Sequence, residues 1–296
     1  MLNFFIITSS EDIASMNIRD KLLNSDDYSF KELSTTWKGN PLFQLEKSET
    51  LIDTNVYLGL TDERLILLND LKLDELNFKP DFLIFASRHA SKSARPALLI
   101  HTTGNWSNEA EFGGNPKEIS YSSALLLKAG FLALLEESRD LEEGKYSIDI
   151  EVNHHGPTNH KIPLIFMELG SVEEEWKDQK AGKSVAHAIV NTVIKYLKLK
   201  SEKKIIGIGF GGTHYTPQFK KLITKTDVAL AHICPKYFVQ EIDKNIVKQI
   251  IEKTIEGRID YFVFDWKGLN SQDKSYLSDL LKDFNIEIKR AKDFQN

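Results

Sequence analysis

Residues 81–101 read DFLIFASRHASKSARPALLIH, and this stretch decides the fold. Two mainly apolar runs, residues 81–87 and 97–101, flank a polar loop that begins with Arg88 and His89. A strand that is buried on both faces of a sheet carries a continuous apolar run, whereas a half-solvated strand alternates. The stretch therefore predicts two buried strands separated by a loop that is rich in polar side chains.

Similar runs recur along the chain and alternate with helix-like segments. Alternation of strands and helices is typical of a sheet that is covered by helices on both faces. We therefore predict an α/β fold. Further strands are expected over residues 2–8, 146–153, 163–170, 204–210, 227–233 and 260–266, and helices over residues 122–139, 180–198, 239–256 and 271–284.

The length of 296 residues allows one large α/β domain or two small ones. The sequence contains no internal repeat, low-complexity tract or linker rich in Pro, Gly and Ser, so a single domain over residues 1–296 is favoured. Residues 20–76 have mixed polarity and a turn signal at 37–41. This segment is expected to form a peripheral hairpin or lobe.

The composition excludes several classes of protein. The net charge of -5 argues against indiscriminate nucleic-acid binding, although local basic patches remain. Cys234 is the only cysteine, so an intramolecular disulfide is impossible and a reducing, cytoplasmic location is expected. The apolar N-terminal run is too short to span a membrane. We expect neither membrane association nor an obligate protein partner.

Polar residues collect where the predicted strands end, and in open α/β sheets sites form at the carboxyl ends of strands. Arg88 beside His89 suits a phosphate or a metal, and a hydrogen-bonded surface loop is the alternative. Residues 101–106, HTTGNW, supply an imidazole, hydroxyls and an amide. The ring of Trp106 offers a face on which a base could stack, with core packing as its alternative.

Two more motifs contain histidines and a carboxylate. The pair His154-His155 precedes a Gly-Pro turn and suits metal binding or acid–base chemistry, although such a pair alone is weak evidence. Glu168 interrupts an apolar strand, and a buried carboxylate needs a partner or a metal. A position in water just beyond the strand is the alternative for Glu168.

The last motif is glycine-rich and spans residues 207–217, GIGFGGTHYTP. Backbone N–H groups of such a loop can approach an anion or an oxyanion. The motif lacks the Gly-Lys-Ser/Thr of a Walker A loop and the glycine spacing of a dinucleotide site. Nucleotide hydrolysis and NAD chemistry are therefore disfavoured.

Taken in order between residues 81 and 237, the five motifs resemble those of the archaeal and plant family of D-aminoacyl-tRNA deacylases. The segments that carry the resemblance are SRH at 87–89, HTTGNW at 101–106, NHHGPT at 153–158, ELGS at 168–171 and GGTHY at 211–215. Residues outside this region resemble the family only in length and overall pattern.

The resemblance implies a three-layer α/β/α fold of the phosphorylase/peptidyl-tRNA hydrolase kind with a mixed, mostly parallel sheet. It also implies a zinc-dependent hydrolase that cleaves the ester of D-aminoacyl-tRNA and thereby recycles mischarged tRNA. The expected zinc ligands are drawn from His89, His154, His155, Glu168 and His214. Expected catalytic residues are His154, His155, Glu168, Thr102, Thr103, Gly211 and Gly212, and expected tRNA contacts are Arg88, Lys92, Arg95, His101, Asn105, Trp106 and Tyr215.

In this interpretation zinc lowers the pKa of a water molecule that attacks the aminoacyl carbonyl. The Gly211-Gly212 backbone or the loop at 102–103 would stabilise the oxyanion. Two alternatives stay open. One is a zinc aminopeptidase-like amidohydrolase, which the lack of a His-x-Asp motif disfavours, and the other is a non-catalytic tRNA-binding protein.

Overall fold

A computed structural model describes residues 1–47 and 49–294 of the chain. Its strands are β1 (Leu2–Ser9), β2 (Phe30–Trp37), β3 (Asn40–Leu45), β4 (Thr54–Thr61), β5 (Phe82–Arg88), β6 (Ala97–His101), β7 (Ser147–Ile150), β8 (Leu164–Leu169), β9 (Ile205–Phe210), β10 (Val228–Cys234), β11 (Tyr261–Phe264) and β12 (Glu287–Arg290). Its α-helices are α1 (Ile13–Leu23), α2 (Ala124–Glu137), α3 (Glu173–Trp176), α4 (Gln179–Lys200), α5 (Pro217–Lys225), α6 (Lys244–Glu252) and α7 (Ser271–Leu281). These elements confirm the predicted α/β class.

The larger sheet is mixed and mostly parallel, as predicted. It has 8 strands in the order β2-β3-β4-β1-β5-β8-β6-β7. The run β4-β1-β5-β8 is parallel throughout, and β6 then pairs antiparallel with β8. Strand β7 follows β6 in parallel. The chain direction therefore reverses between β8 and β6, in the part of the sheet that holds most of the polar motifs.

The two faces of this sheet are covered differently. Side chains such as Ile6 and Ile84 pack on one face against α1, α2 and α4. Their neighbours Phe5 and Phe85 point to the opposite face, because side chains of a strand alternate. That opposite face is covered by residues 65–75, whose short 3-10 turns supply apolar side chains such as Leu65.

The smaller sheet has 4 strands in the order β10-β9-β11-β12, and all its pairings are parallel. Helix α5 lies on one face, where Phe219 and Leu222 meet Leu230 in the same core cluster as the larger sheet's helix face. Helices α6 and α7 cover the other face. This sheet thus forms the middle of three layers.

Strand β7 is shorter than the predicted strand at 146–153, and the reason connects the two sheets. The N–H of Glu151 still donates to the carbonyl of Ile100 in β6 at 3.0 Å, and the next two residues bond to the part of the chain that forms the smaller sheet. The N–H of Val152 donates to the carbonyl of His214 at 3.1 Å, and the N–H of Asn153 donates to that of Ile233 at 3.1 Å. Residues 151–154 therefore lie at the junction between the sheets.

Helices α1, α3 and α5 and strand β12 were not predicted from the sequence. Helix α6 begins at Lys244 rather than 239, because the Asp243 carboxylate caps it by accepting from the N–H groups of Asn245 and Ile246. Residues 30–61 add β2, β3 and β4 to the edge of the larger sheet. None of the described helices is both long and apolar enough to cross a membrane.

Candidate metal centre

We expected the polar motifs to meet at an edge of the sheet. They meet instead on a face of the larger sheet. Glu168 lies one residue before the end of β8, opposite Ser87 of β5 and Leu99 of β6. Because β6 runs antiparallel to β8, His101 reaches the same area from the opposite direction. The side chains project from the face that carries Phe85 and Phe166, away from α1, α2 and α4.

Glu151 is the centre of the cluster. This residue follows β7 directly, and it is 1 % exposed. Its Oε1 atom lies 3.0 Å from Nε2 of His214 and 3.8 Å from Nδ1 of His89. Its Oε2 atom lies 3.8 Å from Nε2 of His154 and 4.0 Å from Nε2 of His101. Each carboxylate oxygen thus faces two imidazole nitrogens.

Glu168 forms the second carboxylate of the cluster. Its Oε2 atom lies 3.5 Å from Nδ1 of His89, and its Oε1 atom lies 3.7 Å from Nε2 of His101. The hydroxyl of Ser87 donates to Oε1 at 3.3 Å. His155 completes the group, because its ring centroid is 4.8 Å from that of His101 and 4.4 Å from that of His154.

Backbone carbonyls orient three of the imidazoles. Nδ1 of His101 lies 3.1 Å from the carbonyl oxygen of Thr102, Nδ1 of His154 lies 2.9 Å from that of Val152, and Nδ1 of His155 lies 2.7 Å from that of Gly156. A carbonyl only accepts, so each Nδ1 carries a proton, and Nε2 keeps its lone pair where the imidazole is neutral. Burial would lower the pKa of His101, but Glu168 and Glu151 outweigh it and raise that pKa, whereas His154 and His155 are held neutral and each offer a lone pair to a ligand.

Several polar atoms of this cluster have no hydrogen-bond partner among the described residues. Among the described residues, neither oxygen of Glu151 accepts a hydrogen bond, and Nε2 of His101 has no partner. Buried polar atoms are nearly always satisfied, because an unpaired one costs about 1–3 kcal/mol. A bound cation would satisfy these unpaired carboxylate oxygens and imidazole nitrogens, which face one another.

The donor set fits zinc. Three overlapping groups, each with ligand atoms within 4.8 Å of one another, are His89-Glu151-Glu168, Glu151-His154-His214 and His101-His154-His155. Imidazole nitrogen and carboxylate oxygen are common zinc ligands, and a second contact to the remaining imidazole nitrogen usually orients each histidine. The backbone carbonyls described above supply such contacts.

The pKa values of several groups in the cluster are strongly shifted. Burial would raise the pKa of Glu168, but His101 and His89 outweigh it and hold the carboxyl in its ionised form. Burial, together with the neighbouring imidazoles, holds the pKa of His154 well below its usual range. Burial and the neighbouring His101 lower the pKa of His155 to about 3. Both histidines are therefore neutral at physiological pH, as metal ligands must be.

Two tyrosines contact the cluster from outside. The hydroxyl of Tyr237 lies 3.2 Å from Nδ1 of His214, and that of Tyr215 lies 3.4 Å from Nε2 of His89. Tyr215 was predicted as a tRNA contact, and the structure places it beside a candidate ligand. Tyr237 was not predicted, because its neighbouring sequence carries no polar motif.

The sequence prediction also missed Glu151. All five predicted ligands lie in the cluster, and the structure adds Glu151 and moves His101 from the predicted tRNA contacts into the donor set. The signal for Glu151 was present, since this carboxylate directly follows the mostly buried strand β7, as Glu168 interrupts the buried strand β8. The same argument about buried carboxylates applies to both residues.

Several predicted site residues have structural contacts instead. Trp106 is 1 % exposed within a core cluster, and its indole N–H donates to the carbonyl of Asn153, so its ring cannot stack on a base. The hydroxyl of Thr103 bonds to Ser120 and to the carbonyl of Pro157. The side-chain amide of Asn105 donates to the carbonyls of Gly113 and Asn115.

The glycine loop loses one of its two predicted oxyanion donors, the N–H of Gly211. The N–H of Gly211 donates to the carbonyl of Cys234 at 2.8 Å, so it is already occupied. Both Gly211 and Gly212 have positive φ and pack against the turn that contains Asp265. The close approach of that turn explains the glycines, while His214 is the residue of this loop that reaches the cluster. Buried Thr102, by contrast, has a hydroxyl without a partner among the described residues.

The predicted phosphate-binding residues lie near the cluster but differ in their contacts. Arg88 stacks on Trp176, with its guanidinium carbon 5.2 Å from the ring centroid. Arg95 pairs with Asp149 at 2.7 Å. Lys92 is exposed on the loop between β5 and β6.

Two cavities open beside the cluster. The larger, of about 360 Å³, is lined by Glu11, Asp12, Arg64, Leu65, Ile66, Ser87, Arg88, His89, Ala90, Phe112, His154, His155, Glu168 and His214. The smaller, of about 220 Å³, is lined by Gly104, Asn105, Trp106, Ser107, Glu109, Ala110, Glu111, Phe112, His154, His155, Tyr237 and Phe238. They are called the larger and the smaller cavity below. A small molecule in either cavity would contact His154 and His155.

Comparisons with known proteins agree with the motifs. The sequence profile of the D-aminoacyl-tRNA deacylase family matches residues 76–289. A protein of Thermococcus onnurineus named D-aminoacyl-tRNA deacylase is 36% identical over 288 residues, which cover 96% of this chain and 98% of that protein. One of the same name from Methanosarcina mazei is 33% identical over 285 residues, covering 96% of this chain and 90% of that protein.

The fold has a close counterpart among solved structures. The crystal structure of AF0625, a conserved protein of unknown function, matches with a TM-score of 0.82 and 28% sequence identity. The match covers 99% of this chain and 97% of that one. The profile match extends over most of the chain, and the identities to relatives hold over nearly its full length. The chain therefore belongs to the D-aminoacyl-tRNA deacylase family.

Proposed function

We propose that the chain hydrolyses the ester bond between a D-amino acid and the terminal ribose of tRNA, and so returns mischarged tRNA to use in the cytoplasm. Its family membership supports this activity, as do relatives that carry the same name. The observation that carries the proposal is the buried carboxylate of Glu151, which faces imidazoles without a hydrogen bond from any described residue and lies beside two cavities.

A zinc ion is part of this proposal. Seven residues supply candidate ligand atoms, namely His89, His101, Glu151, His154, His155, Glu168 and His214. When bound there, zinc supplies an electrophile that polarises an ester carbonyl and lowers the pKa of water. Because a tetrahedral zinc site takes about four ligands, the set is large enough to hold more than one ion.

The residues of the chain prepare the site for an ester. Neutral His154 and His155 each present an Nε2 lone pair, because their Nδ1 protons are held by backbone carbonyls. The carboxylate of Glu168, which His101 and His89 keep ionised, can hold the metal or accept a hydrogen bond from the attacking water, and the proton that this water loses ends on the ribose oxygen that leaves. Burial of the cluster excludes bulk water and strengthens these interactions.

Selection of the D-enantiomer then depends on shape. A cleft that gives the D side chain free space and directs an L side chain into its wall would discriminate between the two esters. An aminopeptidase-like amidohydrolase remains the second candidate, because a zinc site of imidazoles and carboxylates also suits amide cleavage. A tRNA-binding protein without catalysis would show no turnover at all.

The test compares D-Tyr-tRNA, L-Tyr-tRNA and a peptide substrate, each with the protein as purified and after chelation. We expect hydrolysis of D-Tyr-tRNA alone, its loss with the metal, and its recovery when zinc is restored. Deacylation that persists after complete removal of zinc would refute the role of the metal. Cleavage of the peptide at a comparable rate would favour the amidohydrolase.

A further inference from the structure

We infer that the two cavities divide the substrate between them. The smaller cavity binds the amino-acid side chain, and the larger cavity binds the terminal nucleotide of the tRNA. This inference rests on the proposed function, since it assigns the two halves of that ester to particular surfaces. Its basis is that an ester has two substituents, and the structure has two cavities that share one wall at the cluster.

The shared wall consists of Phe112, His154 and His155, the residues that line both cavities. A carbonyl placed over the two histidines would direct its acyl part into one cavity and its alkoxy part into the other. The scissile bond would then lie beside Glu151 and the imidazoles that face it.

Phe112 is held in place although its side chain is 66% exposed. Its carbonyl accepts the N–H of Gly156 at 3.2 Å, and the carbonyl of the next residue, Gly113, accepts from the side chain of Asn105 at 2.9 Å. Gly113 has a φ of +87°, and a Cβ there would lie 2.0 Å from the carbonyl oxygen of Ile66. These contacts fix the backbone at Phe112, from which its exposed ring projects at the boundary between the two cavities.

Chemistry assigns the smaller cavity to the amino acid. Tyr237 and Phe238 give it an aromatic lining that suits an apolar or aromatic side chain, while the buried Trp106 supports the wall from behind. Glu109 and Glu111 add two carboxylates, and among the described lining residues none is a lysine or an arginine. Such a rim attracts the α-ammonium group of an aminoacyl ester and repels a phosphodiester.

The larger cavity differs from the smaller one in that two arginines, Arg64 and Arg88, line it. No carboxylate of the described chain lies within ion-pair distance of either guanidinium. Guanidinium groups bind phosphate by paired hydrogen bonds. Three carboxylates also line this cavity: the two oxygens of Asp12 accept from the backbone N–H groups of Ser15 and Arg88, Glu168 faces His89 and His101, and Glu11 is exposed. Because the smaller cavity has no lysine or arginine among its described lining residues, a nucleotide 5'-phosphate is better placed beside the two guanidinium groups.

Two substitutions separate these roles without removing a candidate ligand. Ala110→Phe fills the smaller cavity from its half-exposed wall, with Ala110→Ser as the matched small control. Arg64→Gln removes a charge from the larger cavity, and Arg139→Gln serves as its control because exposed Arg139 follows α2 on the opposite face of the sheet. The measurements are kcat/KM for D-Tyr-tRNA and D-Ala-tRNA, and inhibition by adenosine 5'-monophosphate.

We expect A110F to lower the D-Tyr to D-Ala ratio of kcat/KM by roughly tenfold or more, while the inhibition constant of adenosine 5'-monophosphate stays within about twofold. We expect R64Q to raise that inhibition constant roughly tenfold and to leave the ratio unchanged. An unchanged ratio in A110F, or effects that are exchanged between the two variants, would overturn the assignment.

A direct binding measurement tests the assignment of the cavities separately from the proposed hydrolysis. Calorimetry with D-tyrosinamide and with adenosine 5'-monophosphate reports on each cavity in the absence of turnover. If the wild type binds both probes and each variant weakens only its own, the assignment stands even where no ester is hydrolysed. If deacylation is normal but each variant affects both probes equally, the assignment fails alone.

Discussion

Two buried polar regions of this molecule differ in how they are satisfied. At the candidate metal centre, both oxygens of Glu151 lack a hydrogen bond from the described residues. On the helix face of the larger sheet, Lys128 of α2 is 3% exposed and donates to three carbonyl oxygens, those of Ile223, Thr226 and Val228, at 2.8, 2.5 and 2.9 Å. The buried carboxylate therefore has no hydrogen-bond partner among the described residues, whereas the buried ammonium uses all its donors.

We infer from this difference that Glu151 serves to bind a ligand, whereas Lys128 serves to stabilise the fold. The ammonium of Lys128 has three N–H donors, and it uses all of them to close the end of α5 against β10. The carboxylate of Glu151 also needs partners, but its oxygens face imidazole nitrogens without accepting a hydrogen bond from any described residue. Residues of the first kind should affect stability, and residues of the second kind should affect metal binding and activity.

The largest expected effect is that of Glu151→Gln. Loss of a central ligand should lower kcat/KM for D-Tyr-tRNA by at least about 10²-fold, more than loss of a typical outer contact of a metal site. Zinc content, measured by mass spectrometry, should fall with it. Glu143→Gln, at an exposed position far from the cluster, should change neither quantity.

The same variant should not weaken the metal-free fold. Replacing an unpaired buried carboxylate by a neutral amide removes a desolvation cost, so the free energy of unfolding of the chelated protein should stay equal or rise by about 1 kcal/mol. Urea denaturation in the presence of a chelator measures this quantity. A loss of several kcal/mol there would show that Glu151 supports the fold and would break the contrast with Lys128.

Lys128→Met should give the opposite pattern. The substitution leaves three buried carbonyls without a donor, and we expect a loss of about 3 kcal/mol in the free energy of unfolding. Burial lowers the pKa of Lys128 to about 8, so the ammonium form still predominates at pH 7. Zinc content and kcat per folded molecule should match the wild type. A variant with normal stability but reduced zinc would contradict the structural role.

Eight of the described strands could be predicted from sequence, most of them because a buried strand carries its own apolar run, whereas β2, β3, β4 and β12 were not predicted. The individual ligands were also visible, since Glu168 and the His154-His155 pair stand out against apolar neighbours. Their arrangement was not. The reversal of direction between β8 and β6, which brings His101 to Glu168, depends on pairings between segments about 70 residues apart in sequence.

The errors among the predicted site residues have the same origin. Whether the N–H of Gly211 is free depends on the carbonyl of Cys234, and whether Trp106 is exposed depends on the cluster around α6 and α7. Neither partner is near in sequence. A local motif therefore identifies the kind of chemistry that a residue offers, while the tertiary contacts decide which atoms are still available.

Adjacent threonines offer a smaller version of the main comparison. Thr103 uses its hydroxyl in buried hydrogen bonds, whereas the buried hydroxyl of Thr102 has no partner among the described residues. Thr103→Val should cost about 2 kcal/mol of unfolding free energy, and Thr102→Val should change it by less than about 0.5 kcal/mol. Thermal denaturation of the two variants side by side tests the difference. Equal losses would mean that the hydroxyl of Thr102 is satisfied in solution.

His232 gives the smallest effect and lies between the two regions in character. It is fully buried on β10, its Nδ1 atom accepts from Asn153 at 3.0 Å, and its Nε2 atom is unpartnered among the described residues. Burial, aided by Lys253, lowers its pKa to about 3. In the unfolded chain the pKa of histidine is near 6.5, so the unfolded state takes up the proton first.

The free energy of unfolding should therefore fall as the pH drops below about 6.5, and His232 should account for about 1 kcal/mol of that loss by pH 5.5. His232→Asn keeps an acceptor for Asn153 but cannot titrate, so its unfolding free energy should fall by that much less over the same interval. Urea denaturation of both proteins at pH 7.5, 6.5 and 5.5 gives the two slopes, and the cluster histidines contribute equally to each. Parallel slopes would mean that His232 is already charged or solvated in the folded protein, and the separation between satisfied and unsatisfied buried groups would then need to be drawn at another residue.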